Sequence, residues 1–198
     1  MSVTDSVLRP NEVLTGGHVK GGIIRSHLQW VRDYHGDAAA ERVVAALPEE
    51  ARAEVGSAVA SAWCKFSTVV ALDRAIEAMF SRGAGLFLRE LGRYSAHLNL
   101  TGAYRLFKSN ELHEFFRRSV LLHRQFQDFG RVTYEQRCET SGVMIHSHYP
   151  CFSLVYCHSA IGYYEQAIVL HGAKPHLVIE TTCQCAGDDA CTFEMEWE

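Results

Sequence analysis

The fold of this chain is decided by its C-terminal stretch, residues 151–198, which reads CFSLVYCHSAIGYYEQAIVLHGAKPHLVIETTCQCAGDDACTFEMEWE and holds five of the seven cysteines. Cys183, Cys185 and Cys191 lie in one short segment that contains a Gly-Asp-Asp sequence at 187–189. Gly and Asp favour turns, and thiolates bind soft or borderline metal ions. The segment therefore has the composition of a metal-binding loop. The alternative is a set of free thiols that pack as small hydrophobic side chains.

The residues on both sides of this loop predict a β-hairpin. Residues 191–197 alternate between apolar and polar side chains, which is typical of a half-buried strand. Residues 176–180 are rich in β-branched side chains and are the expected antiparallel partner. Upstream, residues 157–170 carry apolar side chains at helical spacing. The stretch therefore predicts a helix followed by two paired strands.

The hairpin sets a geometric condition on any shared metal site. Glu180 and Cys183 are three positions apart, so in a straight strand their side chains would point to opposite faces. Both can contact one ion only if the chain bends at Thr181-Thr182.

The first 130 residues predict helices, and the rest predicts a sheet. Gly36 ends the first predicted helix, and Gly130 ends the helical part. Residues 131–139 and 143–149 have the alternation of another hairpin, and residues 12–14 are a candidate short strand in a flexible arm (1–20). The predicted helices cover residues 23–34, 38–47, the segment after Pro48, 66–81, 86–99 and 111–129. We expect a single α+β domain over 1–198: a helical half (21–130) packs on a mostly antiparallel four-stranded sheet (131–198) with a metal-bearing C-terminal hairpin.

Bulk properties exclude several classes of protein. The formal net charge is −4 and there is no basic run, so the sequence does not predict nucleic-acid binding. No apolar stretch reaches the roughly 18 residues of a membrane span, and the N-terminus does not look like a signal peptide. Seven cysteines without a secretion signal favour metal ligands or free thiols in the reducing cytosol over a disulfide framework. We therefore expect a cytoplasmic protein.

A family resemblance adds a specific ligand set. Cys157, Glu180, Cys183 and Cys191, with Gly162-Tyr163 shortly after the first cysteine, resemble the zinc site of 4-vinyl-reductase-type domains. These are small-molecule-binding modules found in phenol-sensing bacterial transcription regulators. The resemblance implies that the four residues bind zinc, although Cys185 competes with Cys183 for one position. Three thiolates and a carboxylate would fill a tetrahedral shell, which is the mark of a structural site.

The rest of the chain is similar to a large family of paralogous myxobacterial proteins that has no assigned function. The segments that carry this resemblance are GGIIRSHLQWVRDYHG (21–36), ALPEEAR (46–52), Trp63, ELGRYSA (90–96) and the terminal Cys-x7-Cys-x-Phe element. A more distant similarity extends to haem–nitric-oxide-sensing domains and TRAPP-type vesicle-tethering subunits, which share the fold. The haem domains use a helix histidine and a Tyr-x-Ser-x-Arg signature. The sequence lacks that signature, so we do not predict His113 as a haem ligand.

The resemblance also implies a pocket for an apolar ligand between the helices and the sheet. No tryptophan lies between Trp63 and Trp197, so phenol recognition is not carried over. His146 and His148 are expected on a solvent-exposed hairpin face. Aromatic residues are candidates for lining the pocket, with simple core packing as the alternative: Tyr104, Phe107, Phe115, Phe116, Phe126, Tyr134, Phe152 and Tyr156.

These observations favour a non-enzymatic, zinc-stabilised sensor or adaptor domain that binds a small apolar ligand, a protein partner or both in bacterial signalling. The sequence contains no nucleophile motif, acid–base constellation or cofactor fingerprint. The alternatives are an enzyme or accessory factor of tetrapyrrole or aromatic metabolism and a purely structural assembly subunit. Residues 66–70 and 86–88 have more apolar positions than one buried stripe needs, which predicts a homodimer through the helical half. The alternative is that both helices are buried in the core.

Overall fold

The computed structural model describes residues 11–80, 86–102, 105–107, 109 and 111–198. It confirms the α+β class. The helical half contains β1 (His18–Lys20), α1 (Gly21–His35), α2 (Asp37–Ala45), α3 (Glu49–Ser57), β2 (Trp63–Lys65), α4 (Phe66–Phe80), α5 (Leu86–Thr101) and α6 (Leu112–Phe126), with a 3-10 turn at Arg105–Phe107. The sheet half contains β3 (Arg131–Cys138), β4 (Ser141–Ser147), α7 (Leu154–Leu170), β5 (Pro175–Thr182) and β6 (Ala190–Trp197), with a 3-10 turn at Gln184–Ala186.

The first helix follows from its apolar spacing. Ile24, Leu28 and Val31 fall at intervals of four and three residues and are buried on one side of α1. Gly36 has a φ of 83°, in the region where glycine carries no steric penalty, and its N–H donates to the carbonyl of Arg32. The helix therefore ends at the position that the sequence indicates.

The four-stranded sheet is antiparallel with the order β3-β4-β6-β5. Strand β6 buries alternate side chains as predicted: Phe193 and Met195 are buried, and Glu194 and Glu196 between them are exposed. The two hairpins are joined through β4 and β6, which places His146 directly opposite Cys191. This register brings the end of β4 next to the start of β6.

The two halves meet where α5 crosses α7. A Cβ atom on Gly92 would lie 1.9 Å from the carbonyl oxygen of Ser159, and one on Gly162 would lie 1.9 Å from the carbonyl oxygen of Arg89. Only glycine permits backbones to approach this closely. Arg93 adds an ion pair across the crossing, with Nη2 2.7 Å from Oε2 of Glu165.

The N-terminal region differs from the prediction in detail. Val13 forms an isolated bridge with Phe152, and the short strand is β1, which begins at His18 and pairs with β2 in a separate two-stranded sheet. Three-residue strands carry too little periodicity to be recognised in sequence. Among the helices of the described residues, none has both the length and the apolar character of a transmembrane span.

The additional apolar side chains of α4 are buried within the chain itself. Phe66 and Val69 are 0% exposed and Val70 is 1% exposed. On α5, Leu88 is buried and Phe87 packs edge-on against Trp30, with ring centroids 4.9 Å apart. These side chains therefore follow the alternative of core burial, and they do not support a dimer surface.

Candidate functional site

The predicted metal ligands come together at the C-terminal hairpin. Among the described residues, the potential ligand atoms of Cys157, Glu180, Cys183 and Cys191 all lie within 4.8 Å of one another. We call these four residues the thiol cluster. Cys157 comes from α7, Glu180 from β5 and Cys191 from β6, while Cys183 opens the loop. Cys185 is not in this group and is buried in the 3-10 turn.

A β-bulge brings Glu180 and Cys183 to the same side. The register of β5 against β6 shifts between Glu180 and Thr182, where one extra residue lies on β5. The bend that the sequence required at Thr181-Thr182 is therefore present. The loop beyond it turns at Gly187, which has a φ of 100°.

The sulfur spacing matches a tetrahedral thiolate site. The Sγ of Cys157 lies 3.7 Å from that of Cys191 and 4.0 Å from that of Cys183. Zn–S bonds of about 2.3 Å in tetrahedral geometry place sulfur atoms about 3.8 Å apart. Backbone N–H groups also point at the cluster, since the amide of Gln184 donates to the Cys191 sulfur at 3.4 Å. The cluster can therefore hold a metal ion.

Electrostatics also favours a cation at the thiol cluster. Burial raises the pKa of Glu180 from 4.5 to about 7, and among the described residues its buried Oε1 has no hydrogen-bond partner. Hydrogen bonds from the thiols of Cys157, Cys185 and Cys191 lower the pKa of Cys183. A buried carboxylate and a thiolate side by side are costly without a compensating positive charge. A bound divalent ion would supply it.

The second candidate site is a cavity of about 130 Å³ between the helical half and the sheet. Helices α1, α5, α6 and α7 and strands β3 and β4 all contribute to it. Of the predicted lining residues, Phe115, Phe116, Phe126 and Tyr156 line the cavity. The polar residues that line it include His27, His123, Gln127, His146 and Tyr164.

The other predicted lining residues lie elsewhere. Tyr134 stacks on Phe116 with ring centroids 5.3 Å apart and does not line the cavity. Phe152 pairs with Val13 outside the cavity. Tyr104 and the side chain of Phe107 lie outside the described residues.

Two histidines of the cavity are buried and bound to phenols. The ring of His146 is 2.6 Å from the hydroxyl of Tyr164, and the ring of His123 is hydrogen-bonded to the hydroxyl of Tyr149. Burial lowers the pKa of His146 to about 3 and that of His123 to about 4. The expectation of a solvated histidine pair was wrong for His146, because its face of β4 turns toward the helices, whereas His148 is exposed.

A hydrogen-bond chain fixes the wall of the cavity near α6. The side-chain amide of Gln127 donates to the Tyr149 hydroxyl at 2.6 Å, and its oxygen accepts from the Tyr156 hydroxyl at 2.9 Å. Sequence reasoning missed His123, Gln127 and Tyr149. The available signal was their spacing, since the predicted helix over 111–129 would place His123 and Gln127 four apart on one face, although α6 ends at Phe126 and Gln127 follows it.

The most unusual polar pair is also at this cavity. His27 on α1 is 1% exposed and Asp73 on α4 is 0% exposed, and Nδ1 of the histidine lies 2.5 Å from Oδ1 of the aspartate. The sequence signal was present, because Asp73 falls between Val69 and Ile76 at helical spacing and so lies on the apolar face of α4.

Comparison with solved structures identifies the fold. The chain is similar to the Fe(II) unliganded H-NOX protein from K. algicida (TM-score 0.69, 13% identity, 90% of this chain and 96% of that one). It is also similar to an H-NOX protein from S. oneidensis in the Fe(II)NO ligation state (0.71, 13%, 90% and 99%) and to an oxygen-binding H-NOX domain related to soluble guanylate cyclases (0.64, 15%, 90% and 95%). No protein-family model and no curated protein matches the sequence. At these identities the comparison shows the fold alone.

The residues of this chain do not fit a haem. Pockets for drug-sized ligands have volumes of about 300–1,000 Å³, and a haem is at least that large, whereas the cavity here measures about 130 Å³. No lysine or arginine is among the described residues that line it, so haem propionates would have no cationic partner there. Both ring nitrogens of His113 are already hydrogen-bonded, to the Tyr134 hydroxyl and to the Glu139 carbonyl.

Proposed function

We propose that this protein is a non-enzymatic, cytoplasmic sensor domain that binds a small apolar ligand in its central cavity and is stabilised by one structural zinc ion. The observation that carries the proposal is the cavity itself. It is apolar on most of its surface, lies between the helical half and the sheet, and has a few polar groups that converge on it. Its volume is close to that of an engineered cavity of about 150 Å³ that binds benzene.

The proposed zinc ligands are Cys157, Glu180, Cys183 and Cys191. The sulfur spacing and the unpartnered Oε1 of Glu180 support this assignment. Four protein ligands leave no position for a reactive water, so the metal has a structural role.

Ligand occupancy is the direct test of the sensor proposal. The protein, purified from its host under native conditions, should show a mass increment of a small organic compound in native mass spectrometry. Protein stripped of that compound should regain it, or bind a benzene-sized substitute, with a rise in melting temperature. A cavity that accepts no benzene-sized compound at millimolar concentration would contradict the proposal.

A homodimer also remains a prediction for this chain. Leu121 on α6 is 67% exposed and Leu98 on α5 is 38% exposed, and these are candidates for an apolar contact. Light scattering after size exclusion should give twice the chain mass of 22.2 kDa. Leu121→Glu should reduce that mass, while Val59→Glu, at another exposed apolar position, should not. A mass of one chain over a wide concentration range would contradict the prediction.

A further inference from the structure

The His27–Asp73 pair brings one buried polar atom without a partner to the lining of the cavity. Among the described side chains that line the cavity, the Nε2 atom of His27 is the one fully buried nitrogen or oxygen that has no hydrogen-bond partner. The opposite ring nitrogen is held by Asp73, so Nε2 is the only polar atom that this ring can offer to the cavity. A buried polar atom without a partner is costly, and a bound ligand can satisfy it.

The protonation state of the His27–Asp73 pair decides which hydrogen-bonding group a ligand must carry. Asp73 is fully buried, and among the described residues its ion-pair partner is His27. An ionised carboxylate in such a place requires a nearby positive charge, and a short contact is typical of charge-assisted hydrogen bonds. In the ion-paired form of the pair, Nδ1 donates to Asp73 and Nε2 also carries a hydrogen, so that the cavity presents an N–H donor.

The other histidines of the cavity and its glutamine are already hydrogen-bonded. His123 and His146 are bound to the hydroxyls of Tyr149 and Tyr164, and the amide of Gln127 is shared between Tyr149 and Tyr156. No lysine or arginine is among the described lining residues. An anionic ligand would find no net positive charge, and a cationic ligand would meet the N–H of His27.

From these observations we infer that the cavity selects a neutral compound of the size of one six-membered ring that carries one hydrogen-bond-accepting oxygen, and that His27 Nε2 donates to this oxygen. The inference rests on the proposed function, since it names the ligand class of that cavity. Asp73 acts as a positioning residue that holds the ring and its protons. Ring size follows from the volume of about 130 Å³, and the oxygen follows from the fully buried Nε2 of His27, which has no partner among the described residues.

Three matched ring compounds test the inference. Cyclohexanone offers an acceptor only, cyclohexanol offers an acceptor and a donor, and methylenecyclohexane has the shape of the ketone without the oxygen. Dissociation constants are measured by protein-observed NMR titration on the full chain. We expect the ketone and the alcohol to bind about five- to a hundredfold more tightly than the hydrocarbon, because the hydrocarbon leaves the buried donor unmet.

Two variants assign the effect to the pair. In Asp73→Asn the amide oxygen still accepts from Nδ1, but the ring becomes neutral and Nε2 becomes an acceptor. The ketone should then bind no better than the hydrocarbon, while the alcohol keeps its advantage by donating its own hydrogen. In His27→Phe both oxygen compounds should lose their advantage. Since this variant strands a buried Asp73 and can unfold, the Asp73→Asn result is decisive by itself. His148→Gln, at an exposed histidine, is the control.

The outcomes separate this inference from the proposed function. If the hydrocarbon binds as tightly as the ketone, or if Asp73→Asn keeps the preference for the ketone, the inference is overturned while the ligand-binding cavity stands. If none of the three compounds perturbs resonances of the cavity, the proposed function fails together with it.

Discussion

The thiol cluster and the cavity lie on adjacent strands, but their chemistry is opposite. The thiol cluster gathers four strong ligands from α7, β5, β6 and the loop, and every ligand faces its neighbours. The cavity gathers mostly apolar side chains from six elements, and among its described lining side chains one fully buried ring nitrogen has no hydrogen-bond partner. A closed shell of ligands is typical of stabilising sites, whereas an apolar space with an unmet hydrogen bond is typical of reversible binding. In the proposed function, the difference separates a structural site from a recognition site in one small domain.

The largest expected effect comes from breaking the thiol cluster. Cys191→Ser should reduce bound zinc from about one equivalent to none and lower the free energy of unfolding by about 4 kcal/mol or more, because metal-binding energy is also folding energy. At about 2–4 °C per kcal/mol, the melting temperature should fall by more than about 10 °C. Metal analysis and thermal unfolding measure the two effects.

Cys138→Ser is the matched control for this substitution, because its thiol is exposed on the β3–β4 hairpin and lies outside the thiol cluster. It should keep both metal and stability. A Cys191→Ser protein that keeps its zinc would contradict the ligand set. If Cys185→Ser loses the metal while Cys183→Ser keeps it, the ligand within the loop has been assigned wrongly.

The next effect tests the packing of the helical half on the sheet half, where α5 crosses α7. Gly162→Ala places a methyl group against the carbonyl of Arg89 and must push α5 away from α7. We expect a loss of about 2–3 kcal/mol, as for an overpacked core. Gly56→Ala is the control, because a Cβ there meets nothing within 4 Å on helix α3, and alanine should stabilise by up to about 1 kcal/mol. Equal effects at both positions would show that the crossing is not tight.

A region can be predicted from the sequence to the extent that its residues lie close together along the chain. The loop of the thiol cluster was predictable because Cys183, Cys185 and Cys191 lie close together in the sequence, and strand spacing required the bend between Glu180 and Cys183. The full ligand set was implied by the resemblance to 4-vinyl-reductase-type domains. The cavity was not predictable in the same way. Its histidines at 27, 123 and 146 come from distant parts of the chain, and their burial depends on how the helical half packs on the sheet. Apolar periodicity fixes which face of an element is buried, but not which polar residue meets a cavity.

The buried His123 predicts that the folded protein loses stability in acid, whereas an exposed histidine predicts no such loss. Burial lowers the pKa of His123 to about 4, below its usual value of 6.5. The unfolded chain therefore binds a proton that the folded chain excludes, and stability falls as the pH drops from about 6.5 to about 4. At 1.36 kcal/mol per pH unit this histidine accounts for about 3 kcal/mol.

His123→Gln should flatten that part of the pH profile of the free energy of unfolding, measured with urea. His148→Gln, at an exposed position, should leave the profile unchanged. A profile that is the same in both variants would show that the proton is taken up elsewhere.

The smallest expected effect is a coupling between the two regions. His146 of the cavity lies opposite Cys191 of the thiol cluster, and the side chain of Gln184 in the loop donates to the carbonyl of Tyr149 at 3.4 Å. Ordering of the loop by zinc should therefore also order this wall of the cavity. We expect the affinity for cyclohexanone to fall about fivefold when the loop loses its metal.

A substitution next to the four proposed zinc ligands tests this coupling and leaves the thiol cluster itself unchanged. The carboxylate of Asp188 accepts from the amide of Cys183 at 2.8 Å, so Asp188→Ala should weaken zinc binding by about 10- to 100-fold while the four ligands remain. At limiting zinc this variant should bind cyclohexanone about fivefold more weakly than the unaltered protein, and saturating zinc should restore the affinity. Asp189→Ala, one residue further on, should behave as the unaltered protein. If the affinity for cyclohexanone does not depend on zinc in the Asp188→Ala variant, the two regions are independent, and the metal stabilises the hairpin alone.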